Sequence, residues 1–279
     1  MTPSTNAYNS SCSVPSMVNP VRRAVRWLRG FVLHYLQHLL IFILASGPIP
    51  KHVAFVMDGN RRYARKRAML PQQGHSHGYV AFRRNLEICF RLKVKCVSAY
   101  VFSIDNFKRS PEEVDALMTL AEQSFSELIQ YGNILQQYGV RLNVVGKKEM
   151  LPENVLKAVR KAEDMTRHNN KAILNLCMPY TSRDEITTAV RDTVHDSLQA
   201  DQPLEITEKD IDDHLMTTKG GSPPLDILIR TSGVKRLSDF LLWQCAEDTQ
   251  IQIVDTYWPD FGLFDLLPII LDYQRKVWA

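Results

Sequence analysis

Between residues 53 and 254 the chain alternates short apolar runs of β type with longer stretches of helical periodicity, and that alternation constrains the fold more than any other feature. The candidate strands are 53–57, 97–102, 141–145, 173–177, 226–230 and 251–254, each apolar and most beside a turn signal. Ser110-Pro111-Glu112-Glu113 is a helix start, with Ser as N-cap, Pro in the first turn and acids at the positive dipole end. Val114, Leu117, Met118, Ala121, Phe125 and Leu128 then share one face, until Gly132 interrupts the helix or Gly139 ends it. Thr207 to Asp210 reads as a capping box, which gives the acids Asp210, Asp212 and Asp213 a structural rather than a metal-binding role. Six strands separated by helices predict an α/β fold: a central, mainly parallel six-stranded sheet flanked by helices.

The chain has 279 residues, 45% of them hydrophobic, enough for a sizeable core and incompatible with a disordered or collagen-like chain. The formal net charge is only +4, so no nucleic-acid partner is expected. Five scattered cysteines without a Cys-x-x-Cys pair signal neither a disulfide framework nor a zinc site, which fits a reducing compartment.

Residues 1–20, rich in Thr, Ser, Asn and Pro, read as a disordered leader. Residues 21–46 read as an amphipathic helix in which Arg22, Arg23, Arg26 and Arg29 precede an uncharged run, 31–45, broken only by His34, Gln37 and His38. A spanning helix needs about 20 apolar residues, so this run of roughly 15 favours a helix lying on an anionic membrane surface or a shallow anchor. Packing on the domain's own core is the competing reading. A signal peptide is a weaker one, because no small-x-small cleavage pattern follows. Residues 47–279 make the remaining domain.

Ligands of open α/β sheets bind at the carboxyl ends of the strands, so the residues after each strand carry the functional argument. After the first strand comes Asp58-Gly59-Asn60-Arg61-Arg62-Tyr63-Ala64-Arg65-Lys66: a lone acid, a flexible glycine, and a helix start lined with guanidinium donors. That is a diphosphate cradle in which Asp58 is placed to hold a divalent cation, although a solvated basic face or a nucleic-acid patch would use similar residues. A phosphatase with Asp58 as nucleophile lacks its second acid, because residue 60 is Asn. After the fifth strand, Arg230-Thr231-Ser232-Gly233 and Arg236-Leu237-Ser238 offer a second anion site. After the second, Ser103, Asn106 and Arg109 make a third polar cluster.

The strings His52-Val-Ala-Phe-Val-Met-Asp58-Gly-Asn60-Arg-Arg62-Tyr63-Ala64, Gly74-His75, Phe102-Ser103, Asn106-Phe107-x-Arg109, Arg230-Thr-Ser-Gly233, Arg236-Leu-Ser238-Asp-Phe-Leu-Leu-Trp243-Gln244 and Trp258-Pro259 resemble the cis-prenyltransferase family. The resemblance is strongest to its dehydrodolichyl diphosphate synthase branch, related to undecaprenyl diphosphate synthase, and covers roughly residues 47–275. It implies a transferase that joins isopentenyl diphosphate to an allylic primer such as farnesyl diphosphate with a new cis double bond, for dolichol synthesis and protein glycosylation. It also implies a position on the cytoplasmic face of the endoplasmic reticulum membrane. Carried onto this sequence, Asp58 holds Mg2+ and helps ionise the primer, Gly59, Asn60, Arg61, Arg62 and Arg109 bind the primer diphosphate, and Ser103 contributes on that side. Arg230, Arg236 and Ser238 grip isopentenyl diphosphate, while His75 and Asn106 assist diphosphate positioning or proton removal. Trp243 and Trp258 are assigned to core packing, and the helix after Pro111 to the wall of an elongation tunnel.

Three positions depart from the family pattern. Gln250 stands where bacterial homodimers carry a metal-binding Glu, eight residues before Trp258, and Pro71 where many members have an Arg, for which Arg65 or Arg67 compensates. The C-terminal Tyr273-Gln-Arg275-Lys276-Val-Trp-Ala279 has no Arg-x-Gly motif. The expected partner is therefore a same-fold subunit of the Nogo-B-receptor type that carries it, meeting this chain through residues 239–273. There Phe240, Leu241, Leu242, Trp258, Phe261, Phe264 and Leu266 serve either that interface or the chain's own core. A non-catalytic membrane scaffold is the rival reading; such subunits lose the aspartate and arginines that this chain keeps.

Overall fold

The computed structural model describes residues 20–130, 133–199 and 205–278. Residues 1–19 of the expected leader and Gly132 lie outside them. Two compact units are present, Met1–Leu40 and Ile41–Ala279.

Helix α1 (Pro20–Leu44) supplies the described part of the first unit. Trp27, Phe31 and Tyr35, four residues apart, form an exposed aromatic row with ring centroids 5.6 and 4.5 Å apart. Among the described residues no helix is long and apolar enough to cross a membrane. The last turn of α1 belongs to the second unit. Ile41 and Leu44, three apart and so on one face, are buried there, and Gln274 Nε2 donates to the Leu44 carbonyl at 2.8 Å. The apolar run 31–45 is thus divided, with its final residues built into the domain core.

The second unit is one all-parallel sheet of β1 (His52–Val56), β2 (Cys96–Tyr100), β3 (Val140–Val145), β4 (Ala172–Cys177), β5 (Ile227–Arg230) and β6 (Gln250–Ile253), in the order β3-β4-β2-β1-β5-β6. Each predicted strand is present, shifted at its ends by one or two residues. The helices are α2 (Asn60–Lys66), α3 (Pro71–Arg91), α4 (Pro111–Gln130), α5 (Asn133–Gln137), α6 (Glu153–Thr166), α7 (Ser182–Gln199), α8 (Glu208–His214), α9 (Met216–Lys219) and α10 (Leu263–Trp278). Helices covering both faces of a parallel sheet bury its inner strands completely, which is why β1 and β5 read as unbroken apolar runs. At the edge, β6 alternates, with Ile251 and Ile253 turned outward.

The capping predictions hold: Glu113 N donates to Ser110 Oγ at 3.4 Å, and Thr207 N donates to Asp210 Oδ2 at 2.8 Å. Gly139, at φ +59°, follows the short α5. Cys89, Cys96 and Cys177 are buried free thiols and Cys245 is half-buried. Pro71 starts α3, where a missing N–H costs nothing.

The C-terminal apolar residues divide between the two roles left open by the sequence. Phe240, Leu241, Trp258, Phe261 and Leu266 are buried in the chain's own core, so they are not interface residues. Leu242 and Phe264 remain exposed, joined by Ile251, Ile253 and Leu271. Trp243 is only half-buried. Phe240→Ala or Phe261→Ala is therefore expected to cost the chain about 3 to 5 kcal/mol in urea unfolding, whereas Phe264→Ala stays within about 0.5 kcal/mol. Equal losses at all three positions would contradict this division.

Candidate active site

The chain leaves β1 for β2 on one side and β5 for β6 on the other, so the winding reverses between β1 and β5 and opens a crevice at their carboxyl ends. Two charges face each other across it. Arg230, the last residue of β5, is buried and donates from Nη2 to Asp58 Oδ2 at 2.8 Å, and from Nη1 to Ser238 Oγ at 2.6 Å and to the Arg236 carbonyl. Among the described residues its buried Nε has no hydrogen-bond partner. Thr231 Oγ1 stitches the same two segments, donating to the Asp58 carbonyl at 2.7 Å. Gly59 then turns the chain into α2 at φ +104°, and a Cβ there would lie 2.8 Å from the Tyr257 ring, so no other residue fits.

Arg62 lies 3.4 Å from Asp58, donates to Ser232 Oγ at 2.5 Å and stacks over Tyr257. Burial alone would raise the Asp58 pKa. The hydrogen bond and charge of Arg230, the Gly59 N–H and the Arg62 charge outweigh it and hold the carboxyl below its ordinary value. Asn60 donates from Nδ2 to the Met57 carbonyl at 3.1 Å, while its buried Oδ1 has no hydrogen-bond partner among the described residues. Helix α2 sits directly on α3: a Cβ on Gly74 would be 2.4 Å from the Asn60 carbonyl oxygen, and one on Gly78 2.3 Å from Asn60 Oδ1.

The facing wall gathers around Glu113 in the first turn of α4. Arg109 donates to its Oε1 at 2.7 Å and Arg61 lies 3.6 Å from the same atom. His75 lies close enough to feel all three charges. Burial, reinforced by Arg109 and Arg61 and opposed by Glu113, lowers its pKa to about 4, and among the described residues its buried Nε2 has no hydrogen-bond partner. Asn106 Oδ1 accepts from Ser103 N at 3.0 Å, closing a single turn of 3-10 helix (Ile104–Lys108). An amide so engaged offers its NH2 group as a donor; it is not a base.

Asp58, the two arginine clusters, His75 and Asn106 border one cavity of about 1100 Å³. Its polar end holds every site residue expected from the sequence, namely Asp58, Gly59, Asn60, Arg61, Arg62, His75, Ser103, Asn106, Arg109, Arg230, Arg236 and Ser238. Its apolar end runs between α3 and α4, past Phe82, Leu117, Met118, Ala121, Phe125 and Leu128. Trp258 borders the cavity as well as filling the core, and its Nε1–H donates to the Gly78 carbonyl at 2.8 Å. Arg65 borders the cavity, whereas Arg67 is committed to Asp260 and to the Tyr63 ring.

Sequence reading missed Glu113, and it did not foresee that Arg183, Asp239 and Tyr79 border the cavity. The first had a signal, since an acid four residues after Arg109 on a helix start faces it. Gln250 does not belong to the crevice of its own chain: it opens β6 at the amino end of the sheet and donates to Asp272 on α10.

Among the described residues no group of three His, Cys, Asp or Glu side chains is arranged to hold a metal ion. A single carboxylate at the base of an anion site still suits Mg2+, which keeps several waters and takes further ligands from substrate phosphates. Asp58 fits the ion in that mode.

In an NMR titration the His75 imidazole is expected to change charge near pH 4, not 6.5. Because the folded-state value is the lower one, its contribution to stability is complete above pH 6.5 and is lost as pH falls towards 4. A midpoint near 6.5 would mean that His75 is solvated.

The chain matches the undecaprenyl diphosphate synthase family over residues 56–278. It is 46% identical over 249 residues to a dehydrodolichyl diphosphate synthase complex subunit of Schizosaccharomyces pombe, covering 88% of this chain and 93% of that one. Identity to the Homo sapiens subunit of the same complex is 42%, over 90% of this chain and 74% of that protein. The crystal structure of lavandulyl diphosphate synthase from Lavandula x intermedia, in complex with dimethylallyl diphosphate, superposes with a TM-score of 0.71 at 32% identity, covering 81% of this chain and 95% of that one. With its switch-point crevice, its paired basic clusters and these relatives, the chain belongs to the cis-prenyltransferases of the undecaprenyl diphosphate synthase family.

Proposed function

We propose that this chain is the catalytic subunit of a long-chain cis-prenyltransferase that adds isopentenyl diphosphate repeatedly to an allylic primer, farnesyl diphosphate, to give dehydrodolichyl diphosphate for dolichol and protein glycosylation. The observation that carries this reading is the cavity: two arginine clusters at one end and an apolar channel at the other suit two diphosphates and one growing hydrocarbon.

In this mechanism Arg61, Arg62 and Arg109 hold the primer diphosphate, and Arg230, Arg236 and Ser238 the isopentenyl diphosphate. The primer C1–O bond breaks with its electron pair going to the diphosphate, and C1 bonds to C4 of the isopentenyl unit as the C2 proton leaves. Fixed guanidiniums stabilise the charge that builds on the departing group without reorganising. Bound Mg2+ would add Lewis-acid stabilisation of that group, with Asp58 as its protein ligand. Neutral His75 is an available acceptor for a proton or a hydrogen bond, and Asn106 a donor. Apolar walls exclude water from the reacting carbons.

The relatives' names as complex subunits support assembly with a partner; in this reading it is a same-fold subunit of the Nogo-B-receptor type, to which the exposed Ile251, Ile253, Phe264 and Leu271 offer an apolar face. Residues 21–46, with their arginines and aromatic row, support attachment to the cytoplasmic face of the endoplasmic reticulum membrane.

The test is elongation by the purified protein, alone and co-expressed with the partner, from farnesyl diphosphate, radiolabelled isopentenyl diphosphate and Mg2+, with the product sized. Asp58→Ala is expected to abolish elongation in a folded protein, and near-normal turnover would refute its role. Arg236→Ala is expected to raise the KM for isopentenyl diphosphate by about tenfold or more, the loss of a charged hydrogen bond worth ~1.5 to 3 kcal/mol. A change confined to the primer KM would reverse the division of the crevice. Deleting residues 1–40 is expected to release the protein from anionic vesicles in sedimentation, and unchanged binding would place the anchor elsewhere.

A further inference from the structure

Arg183 occupies a place that local stability does not explain. It is the second residue of α7, at the positive end of that helix's dipole, where a cation is disfavoured. The adjacent acid, Asp184, does not offset it, being paired with Lys147 at 2.6 Å. What holds Arg183 is Asp239: the Arg183 backbone N–H donates to Oδ1 at 3.0 Å and its Nε to Oδ2 at 2.8 Å.

Asp239 in turn sits in a backbone that L-residues avoid. Ser238, Asp239 and Leu241 have φ of +55°, +60° and +47°, the left-handed region that side chains strain. The α7 start fixes that shape, with Ser182 N donating to the Asp239 carbonyl at 2.8 Å and Leu242 N to Ser182 Oγ at 2.8 Å. One loop therefore aims Ser238 into the crevice and Asp239 at Arg183. The Arg183 side chain is 77% exposed, borders the same cavity as Arg236 and Ser238, and among the described residues spends only its Nε on a hydrogen bond. Its two terminal nitrogens are left for another ligand. Asp105 adds a weaker attraction and is itself bonded to Lys108 at 2.6 Å.

A cation placed against its helix dipole, oriented by a strained acid and open at both terminal nitrogens, is an anion contact awaiting its anion. We propose that Arg183 is a further substrate-binding residue: its terminal guanidinium nitrogens take a phosphate of the incoming isopentenyl diphosphate at the cavity mouth, beside Arg236 and Ser238. Asp239 is the positioning residue that keeps the fork turned towards them. The inference rests on the function proposed above.

The experiment uses the full chain, co-expressed with its partner if elongation requires one. Arg183→Ala is expected to raise the KM for isopentenyl diphosphate about tenfold, with kcat and the primer KM within about twofold, and to flatten the ionic-strength dependence of kcat/KM. Arg183→Lys, which keeps the charge, is expected to fall between the two. Removing Arg183 also leaves Asp239 unpaired near a phosphate, so the double variant Arg183→Ala/Asp239→Asn decides the cause. A KM that stays raised in the double variant supports direct contact. Recovery to the wild-type KM would overturn the proposal and make Arg183 a counter-ion of Asp239, and an unchanged KM in Arg183→Ala would overturn it outright. Arg236→Ala serves as the control: if it too leaves the isopentenyl diphosphate KM unchanged, the function reading itself fails.

Discussion

The contact between Arg230 and Asp58 is the constraint on which the site depends. A buried guanidinium without a carboxylate, or a carboxylate without its guanidinium, would leave a costly uncompensated charge at the end of two apolar strands. Together they tie β1 to β5 where the winding reverses, and each then organises its own side. Asp58 draws Arg62 and the start of α2, while Arg230 gathers the Arg236 carbonyl and the Ser238 hydroxyl. The pair has an energetic consequence as well. Asp58 stays ionised because of its arginines, so it remains a usable metal ligand even though burial alone would favour its neutral form.

The opposite wall works by different electrostatics. Arg61 and Arg109 share one oxygen of Glu113, so neither is fully neutralised, and their charge reinforces the burial that keeps the neighbouring His75 neutral. A diphosphate placed there would replace the missing negative charge and make protonation of His75 easier. Both walls thus meet the substrate with cations already aimed and partly unpaid for in charge, the preorganisation that a developing anion needs.

Much of this was legible in the sequence. Buried parallel strands are apolar throughout, so their ends could be found to within one or two residues, and the polar residues just past those ends converge because a parallel sheet brings all its carboxyl ends to one edge. Residues whose role is set by non-local contact were not legible. Glu113 looked like an ordinary helix-start acid, and Arg183 followed a strand whose junction holds no obvious cluster. Phe240, Leu241 and Phe261 were ambiguous for a related reason. They lie outside regular elements, where no periodicity tells an inward side chain from an outward one, and the backbone that buries the first two has left-handed turns that only the folded contacts sustain. The apolar run at 31–45 posed the same difficulty, since three-residue spacing put Ile41 and Leu44 into the domain while their neighbours stayed outside.

The seating of α2 on Gly74 and Gly78 has a mechanical consequence. Gly74 brings the α3 backbone against the Asn60 carbonyl and Gly78 makes room for the Asn60 amide, so little compliant material lies between α3 and the segment that carries Arg61 and Arg62. Ordinary helix contacts absorb small shifts by rotamer changes; this one transmits them. A movement of α3, which also forms part of the apolar wall, therefore presses on the start of α2, so the hydrocarbon end and the charged end of the cavity are mechanically linked.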